Sequence, residues 1–275
     1  MVKLSEKKTI KFSKYQGAGN DFIIIDGREF PLDDPLKYSK KLCRRHFSIG
    51  ADDLLYIEDS SVADAKMRVC EPDGSEATMC GNGIRCVGAY LRKKVGKNRF
   101  AIETLSGIRT VEFDGNLYTV DMGNMQPLRN FINPPEDKTQ KNLELFNMKY
   151  IIVSPGEPHA VSIVDSIYGI DINSALKVAR NFTVFPRGIN VDYVEIEKNF
   201  IKVRTFERGV WAETLACGTG AVSSAFVARE FLKKDRILVK MRGGDLYVTF
   251  KKEKIFLSGK AELVYNGEFE IGGEK

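Results

Sequence analysis

The chain has 275 residues, of which 43% are hydrophobic and 29% charged, and it carries a net charge of +5; this is enough apolar content for one large core or two ordinary ones. The two signs of charge are mixed throughout and no Lys/Arg block interleaves with aromatics, which argues against a nucleic-acid partner. No apolar run approaches the roughly 18 residues of a membrane helix, which argues against a membrane partner.

Five cysteines occur, at 43, 70, 80, 86 and 217. Residues 1–14 hold no apolar segment of the secretory kind, so a cytoplasmic protein with reduced thiols is expected. No C-x-x-C is present and there are only two histidines, His46 and His159, so no metal site is expected.

In chain order, Ile10–Tyr15 and Phe22–Asp26 read as strands around a Gly17-Ala-Gly-Asn20 turn. Asp33-Asp-Pro35 starts a helix predicted over Asp34–Phe47. Leu54–Glu58 and Lys66–Cys70 are strands, Pro72-Asp-Gly-Ser75 is a turn, and a helix follows Cys80. Arg99–Thr104 and Ile108–Phe113 pair across Ser106-Gly107, and Leu117–Asp121 adds a strand. The polar stretch Gly123–Asn142, with Pro127, Pro134 and Pro135, reads as a link. After it the order repeats: strands Tyr150–Val153 and Ala160–Val164, helix Ile172–Asn181, strands Val191–Ile196 and Lys202–Phe206, and a helix after Cys217. Strands Ile237–Met241, Leu246–Phe250 and Lys254–Ser258 close the set.

The repetition has a constant offset. Cys80 and Cys217 are 217 − 80 = 137 residues apart, and the same shift superposes Gly81 and Gly83 on Gly218 and Gly220, Arg92 on Arg229, Gly107 on Gly244, and Tyr56 on Tyr193. The chain therefore reads as two similar halves, each mostly strand with one apolar helix that a curled sheet would bury.

Cys80-Gly-Asn-Gly83 and Cys217-Gly-Thr-Gly220 each open an amphipathic helix. A thiol at a helix N-terminus is expected to have a lowered pKa, because unpaired N–H groups and the helix dipole favour the thiolate. Either motif alone also fits a structural cysteine beside a glycine-rich turn. As a symmetric pair they suit a disulfide switch, a nucleophile with a base, or a two-base proton exchange on opposite faces of a carbon acid. Gly81, Gly83, Gly218 and Gly220 would leave N–H groups open to a carboxylate on which charge builds as its α-proton leaves. That favours a racemase without pyridoxal phosphate. A phosphate cradle is disfavoured, since neither motif continues as Gly-Lys-Ser/Thr.

At these residues the chain resembles the diaminopimelate epimerases over nearly its whole length. The likeness is carried by Gly17-Ala-Gly-Asn-Asp-Phe22, Asp73-Gly-Ser-Glu76, Met79-Cys-Gly-Asn-Gly-Ile-Arg-Cys86, Gly156-Glu-Pro-His159, Gly188-Ile-Asn190, Phe206-Glu-Arg-Gly209 and Glu213-Thr-Leu-Ala-Cys-Gly-Thr-Gly220. The resemblance implies an α/β (α+β) fold of two similar, pseudo-two-fold-related domains. Each would be a barrel-like, mostly antiparallel sheet around a central helix. The domains would be residues 1–124 with a returning strand at 265–275, and residues 125–264. It implies interconversion of LL- and meso-diaminopimelate for lysine and cell-wall synthesis, without cofactor or metal, and leaves room for a homodimer.

Carried over residue by residue, the resemblance makes Cys80 and Cys217 the two bases. Gly81, Asn82, Gly218 and Thr219 would hold the reacting carboxylate. Asn20 and Asn190 would touch substrate, Arg208 would pair with the distal carboxylate and Glu207 with the distal ammonium. His159 would support the thiols. Taken alone, His159 also fits a structural histidine, Glu207 and Arg208 a surface ion pair, and Asn20 and Asn190 turn residues.

The chain departs from the family pattern at substrate-facing positions. Glu71 and Glu157 stand where asparagine is usual, Asp53 where glutamine or glycine is usual, and Gly209-Val-Trp-Ala-Glu213 is one residue longer than usual. Two carboxylates at 71 and 157 would repel a substrate carboxylate unless neutralised or turned away. A racemase for another amino acid is thus the nearest alternative, and a redox-switched binding protein with a Cys80–Cys217 disulfide is the alternative of another class.

Overall fold

The computed structural model describes residues 8–271. The first half contains β1 (Lys8–Gly17), β2 (Asn20–Asp26), α1 (Pro35–Leu42), β3 (Asp53–Glu58), β4 (Ala65–Cys70), β5 (Glu76–Ala77), α2 (Gly81–Val95), β6 (Arg99–Thr104), β7 (Gly107–Phe113) and β8 (Tyr118–Gly123). The second contains β9 (Gln140–Leu145), β10 (Met148–Val153), β11 (His159–Ile163), α3 (Ala175–Ala179), β12 (Asn190–Ile196), β13 (Phe200–Glu207), β14 (Ala212–Thr214), α4 (Gly218–Leu232), β15 (Arg236–Met241), β16 (Gly244–Lys251), β17 (Lys254–Gly259) and β18 (Glu262–Ile271). Among the described residues no helix is long and apolar enough to cross a membrane.

The chain divides into two compact units, one running to Tyr118 and resuming at Ala261, the other spanning Thr119–Lys260. The boundary falls inside β8 rather than after residue 124, because β8 pairs with β17 and so joins the second sheet. The returning strand begins at Glu262 rather than 265. Residues 1–7 and 272–275, at the outer ends of the first domain as read from the sequence, lie outside the described residues.

In unit one the strands run β18, β1, β2, β3, β4, β6, β7, with β5 also on β4. All neighbours are antiparallel except β2–β3 and β4–β6. In unit two the order is β9, β10, β11, β12, β13, β15, β16, β17, β8, with β14 also on β13, and the parallel pairs are β11–β12 and β13–β15. The register repeats with the sequence offset: Phe22 faces Asp53 in one unit and His159 faces Asn190 in the other. Each sheet packs around its long helix, α2 or α4, without closing.

Alternation builds these layers. The runs Phe22–Asp26 and Leu54–Ile57 are buried throughout because one face meets the long helix and the other a short one. Ile23, Ile25, Leu54, Tyr56, Leu42 and Cys43 form the layer under α1, and Ile152, Ala160, Val191, Tyr193, Val178 and Ala179 form its counterpart under α3.

Three local expectations are corrected. The first helix stops at Leu42, not Phe47. The carbonyls of Leu42 and Cys43 accept from Gly50 and Ala51 N–H, and His46 takes a left-handed φ of 70°. The helix expected over Ile172–Asn181 is a 3-10 turn (Ile172–Ser174) followed by the short α3, whose Ala179 carbonyl accepts from Ile189 N–H, 3.0 Å away. The link is partly ordered structure, since Gln140 already begins β9.

Candidate active site

Cys80 and Cys217 are the N-cap residues of α2 and α4. Both backbones are extended, at φ −128°, ψ 114° and φ −120°, ψ 120°. Each sulfur accepts the N–H three residues on, Gly83 at 3.3 Å and Gly220 at 3.4 Å, as a serine or aspartate oxygen does at an ordinary cap. The expectation of four open glycine amides is thereby corrected: Gly83 and Gly220 donate to the sulfurs. The first residues of the two helices, Gly81 and Asn82 and likewise Gly218 and Thr219, precede the point where the i to i−4 ladder begins. Gly83 and Gly220 serve close approach instead. A Cβ on Gly83 would lie 3.1 Å from Leu55 Cδ2, and one on Gly220 would lie 2.7 Å from Asp192 Oδ1.

In unit one, Asn20 stands at the start of β2 with its amide orientation set by Asp52. Asn20 Nδ2 donates to Asp52 Oδ2 at 2.6 Å. Its carbonyl therefore turns to the helix end, where Oδ1 accepts from Asn82 Nδ2 at 3.2 Å and lies 3.9 Å from Cys80 Sγ. Asn82 is buried and its own Oδ1 accepts from Arg85 Nη2 at 2.9 Å. Arg45 bridges Asp21 and Asp52, and Lys14 pairs with Asp21 at 2.6 Å. Asp53 heads β3 opposite Phe22. Glu71 is held in its own turn: Ser75 Oγ donates to its carboxylate at 2.5 Å and Ser39 Oγ to its carbonyl at 2.7 Å.

Unit two puts a polar relay at the equivalent place. His159 and Asp192 are fully buried, with His159 Nδ1 and Asp192 Oδ2 2.7 Å apart. Asp192 Oδ1 accepts from Thr205 Oγ1 at 2.6 Å. A carboxylate only accepts, so His159 carries its proton on Nδ1 and Nε2 is left as an acceptor. Thr219 Oγ1, 3.0 Å from Nε2, is its donor, and the Cys217 sulfur lies 3.4 Å from the same hydroxyl. The chain Cys217 S–H, Thr219 O–H, His159, Asp192 is a path along which the thiol proton can leave.

Glu207 lies beside Cys217 and accepts from Thr214 Oγ1 at 2.5 Å. Burial pushes its carboxyl up, against the hydrogen bond from Thr214. The expectation of a lowered Cys217 pKa is overturned: burial first, then the charges of Glu207 and Asp192, raise the thiol well above its ordinary value, outweighing Thr219 and the Gly220 N–H.

Glu207 and Arg208 are not a surface ion pair, because Arg208 is bonded to Glu157. Its N–H donates to Asn190 Oδ1 at 2.8 Å, and Asn190 Nδ2 donates to the Pro158 carbonyl at 3.0 Å. Asn190 thus ties the loop before β11 to the loop after β13. In that loop Trp211 stacks under Arg180, 4.6 Å from its ring centre. Both unusual carboxylates are therefore partnered, Glu71 by Ser75 and Glu157 by Arg208.

Sequence reasoning missed Asp52, Arg85, Asp192 and Thr205. Asp192 had a signal: it shares a face of β12 with Asn190, two residues before it. Arg85 had one as well, a lone charge in the apolar run Ile84-Arg-Cys-Val87. Among the described residues no group of three His, Cys, Asp or Glu side chains is placed to hold a metal ion, and all five cysteines are free thiols.

The profile of the diaminopimelate epimerase family matches residues 12–128 and 151–264. The diaminopimelate epimerases of Methanocella arvoryzae and Brachyspira hyodysenteriae are each 40% identical to this chain over 95% of it, and over 97% and 99% of their own lengths. The fold is shared with a phenazine biosynthesis protein of the PhzF family from Bacillus anthracis (TM-score 0.69, 20% identity, 96% of this chain and 99% of that one). It is also shared with a hydroxyproline epimerase from Agrobacterium vitis (TM-score 0.70, 12% identity, 98% and 94%). With its two cysteine-capped helices set in the same repeated frame, the chain is an isomerase that belongs to the diaminopimelate epimerase family.

Proposed function

We propose that the chain interconverts LL- and meso-2,6-diaminopimelate, in lysine and cell-wall synthesis, by a two-base mechanism in which Cys80 and Cys217 exchange the α-proton. The observation that carries this reading is the pair of cysteine N-caps with matching dihedrals at the same position of two copies of one fold. In one direction a thiolate takes the proton: the Cα–H bond breaks, an S–H bond forms, and the electron pair passes into the substrate carboxylate. The amides of Gly81, Asn82, Gly218 and Thr219 stabilise that charge as it grows. The other cysteine gives its S–H proton to the opposite face of the carbon, and a new Cα–H bond completes the inversion.

In this reading Asn20, Asp53, Glu71, Glu157, Asn190, Glu207 and Arg208 surround the substrate, and Arg208 takes its distal carboxylate with a bidentate fork. His159 accepts the Cys217 proton through Thr219. The partner is the amino acid itself, no cofactor or metal takes part, and a cytoplasmic homodimer belongs to the same reading. The test is α-deuteration of LL-diaminopimelate in deuterated water by the reduced protein. No α-exchange would sink the epimerase reading, and far faster exchange of another amino acid would sink the assignment of substrate.

A further inference from the structure

Arg85 is the one buried charged side chain, among the described residues, that meets no opposite charge. Lys14 pairs with Asp21, Asp26 with Arg28 and Lys94, and Asp192 with His159. Arg85, 0% exposed, donates only to the Gly81 carbonyl at 3.1 Å and to Asn82 Oδ1 at 2.9 Å. Its Nε is buried without a partner. Taking a guanidinium out of water with no anion to receive it is destabilising, so packing does not account for it. The second copy shows that the fold does without it: the residue 137 positions on is Val222, also fully buried. Burial lowers the Arg85 pKa, and the ionisable groups that act against this are the thiols of Cys86 and Cys80. Burial holds Cys86 as a thiol, pushed up to about 12.

We propose that Arg85 is a positioning residue whose buried positive charge is the fixed counter-ion of a Cys80 thiolate, so that at rest Cys80 is the base and Cys217 the acid. The inference rests on the reading of Cys80 as a catalytic base. The equivalent end of unit two carries the opposite sign, with Glu207 and Asp192 acting on Cys217. One copy of the fold therefore favours the anion and the other the neutral thiol, which is the division a two-base exchange needs before substrate arrives.

The other cations packed about this end of α2 have carboxylates of their own. Lys14 and Arg45 are neutralised by Asp21 and Asp52, and Arg68 by Glu76 and Glu58. Burial pushes Cys43, Cys70 and Tyr15 up to about 12. Asp53, on β3, is of the wrong sign.

Alkylation of the reduced full-length protein by iodoacetamide, read for each cysteine peptide by mass spectrometry over roughly pH 5 to 10, tests this without substrate. In Arg85→Met the midpoint for Cys80 rises by about one pH unit or more, about tenfold less thiolate at neutral pH. The Cys217 profile stays where it was, and the melting temperature is equal or higher. Arg85→Lys, which keeps the charge and loses the fork, keeps the wild-type Cys80 profile. Arg85→Gln repeats the neutral measurement with donors retained for Gly81 or Asn82. An unchanged Cys80 midpoint in both neutral variants overturns the proposal. So does an Arg85→Lys profile that follows Arg85→Met, which would make Arg85 a hydrogen-bonding residue for Asn82. Epimerisation by Cys80→Ala would remove the two-base reading and leave the alkylation result standing, so the two failures are distinguishable.

Discussion

The two helix ends that carry Cys80 and Cys217 are the same backbone with different surroundings. Under Cys80 the positions facing the helix start are Phe22, Leu55 and Val69, all buried and apolar, with Arg85 one turn along the helix. Under Cys217 the positions that replace them in the repeated strand register are His159, Asp192 and Thr205. A duplicated fold thus contains its own control. What is common to both ends, the extended cap, the sulfur-to-amide bond and the close-packed glycine, is what the architecture requires. What differs is not dictated by the shared backbone, and it sorts by charge: a cation in one copy and acids in the other.

The sharpest break of this comparison is removal of either sulfur. Cys80→Ala and Cys217→Ala should each lower epimerisation by about 10²- to 10⁴-fold, followed by proton NMR in deuterated water, because each removes one proton-transferring group. Comparable activity in one of the two single variants would show that the ends are not partners.

Next comes the relay. Asp192→Asn should cost about 10²-fold in kcat, since the amide no longer fixes His159 with its proton on Nδ1. Its mirror, Leu55→Asn, should leave kcat near wild type and lower urea stability by about 1–3 kcal/mol, the cost of an unsatisfied buried amide. Equal loss of kcat in both would mean that the relay is scaffold.

Glu207→Gln should separate stability from activity. The folded-state carboxyl is raised above its unfolded value. Its contribution to stability is therefore complete below the unfolded carboxyl pKa and is lost as pH rises toward the folded one. Above the unfolded carboxyl pKa the cost of burying this group opposes folding, so at neutral pH the glutamine variant should melt higher, and it should turn over more slowly. A lower melting temperature at pH 7 would contradict the burial argument.

The smallest effect is expected at Glu157, which occupies in unit two the place of Asn20 in unit one. Glu157→Asn frees Arg208 of an internal carboxylate and should lower KM for diaminopimelate about two- to tenfold, worth at most about 1.4 kcal/mol. A KM that rises would mean that Glu157 is itself a substrate contact.

Much of this was legible in the amino-acid sequence. The strands followed from alternation, and the constant spacing of Cys-Gly-x-Gly, Tyr56/Tyr193 and Gly107/Gly244 exposed the duplication. The short elements were not legible. α1 ends early because the carbonyls of Leu42 and Cys43 bond to Gly50 and Ala51, and Arg45 leaves the helix line to reach Asp21 and Asp52. No local propensity encodes those partners. The ionisation of Cys217 was misjudged for a related reason. Helix position is visible in a sequence, whereas the burial and the two acids that outweigh it come from β12 and β13. Glu71 and Glu157 carried a charge problem that only their partners, Ser75 and Arg208, resolve.

The pairing of β18 with β1 has a consequence for how the chain is made. Lys8 lies opposite Ile271 and Gln16 opposite Glu262, so β1 meets its partner only after the whole of unit two has been made. Unit two is a continuous segment, Thr119–Lys260, and can complete its sheet before β18 is synthesised. Unit one cannot, because its outer strand follows unit two in the chain. Of the two units the one begun earlier is therefore the one completed later, and a nascent chain truncated before Glu262 would present β1 as an unpaired edge.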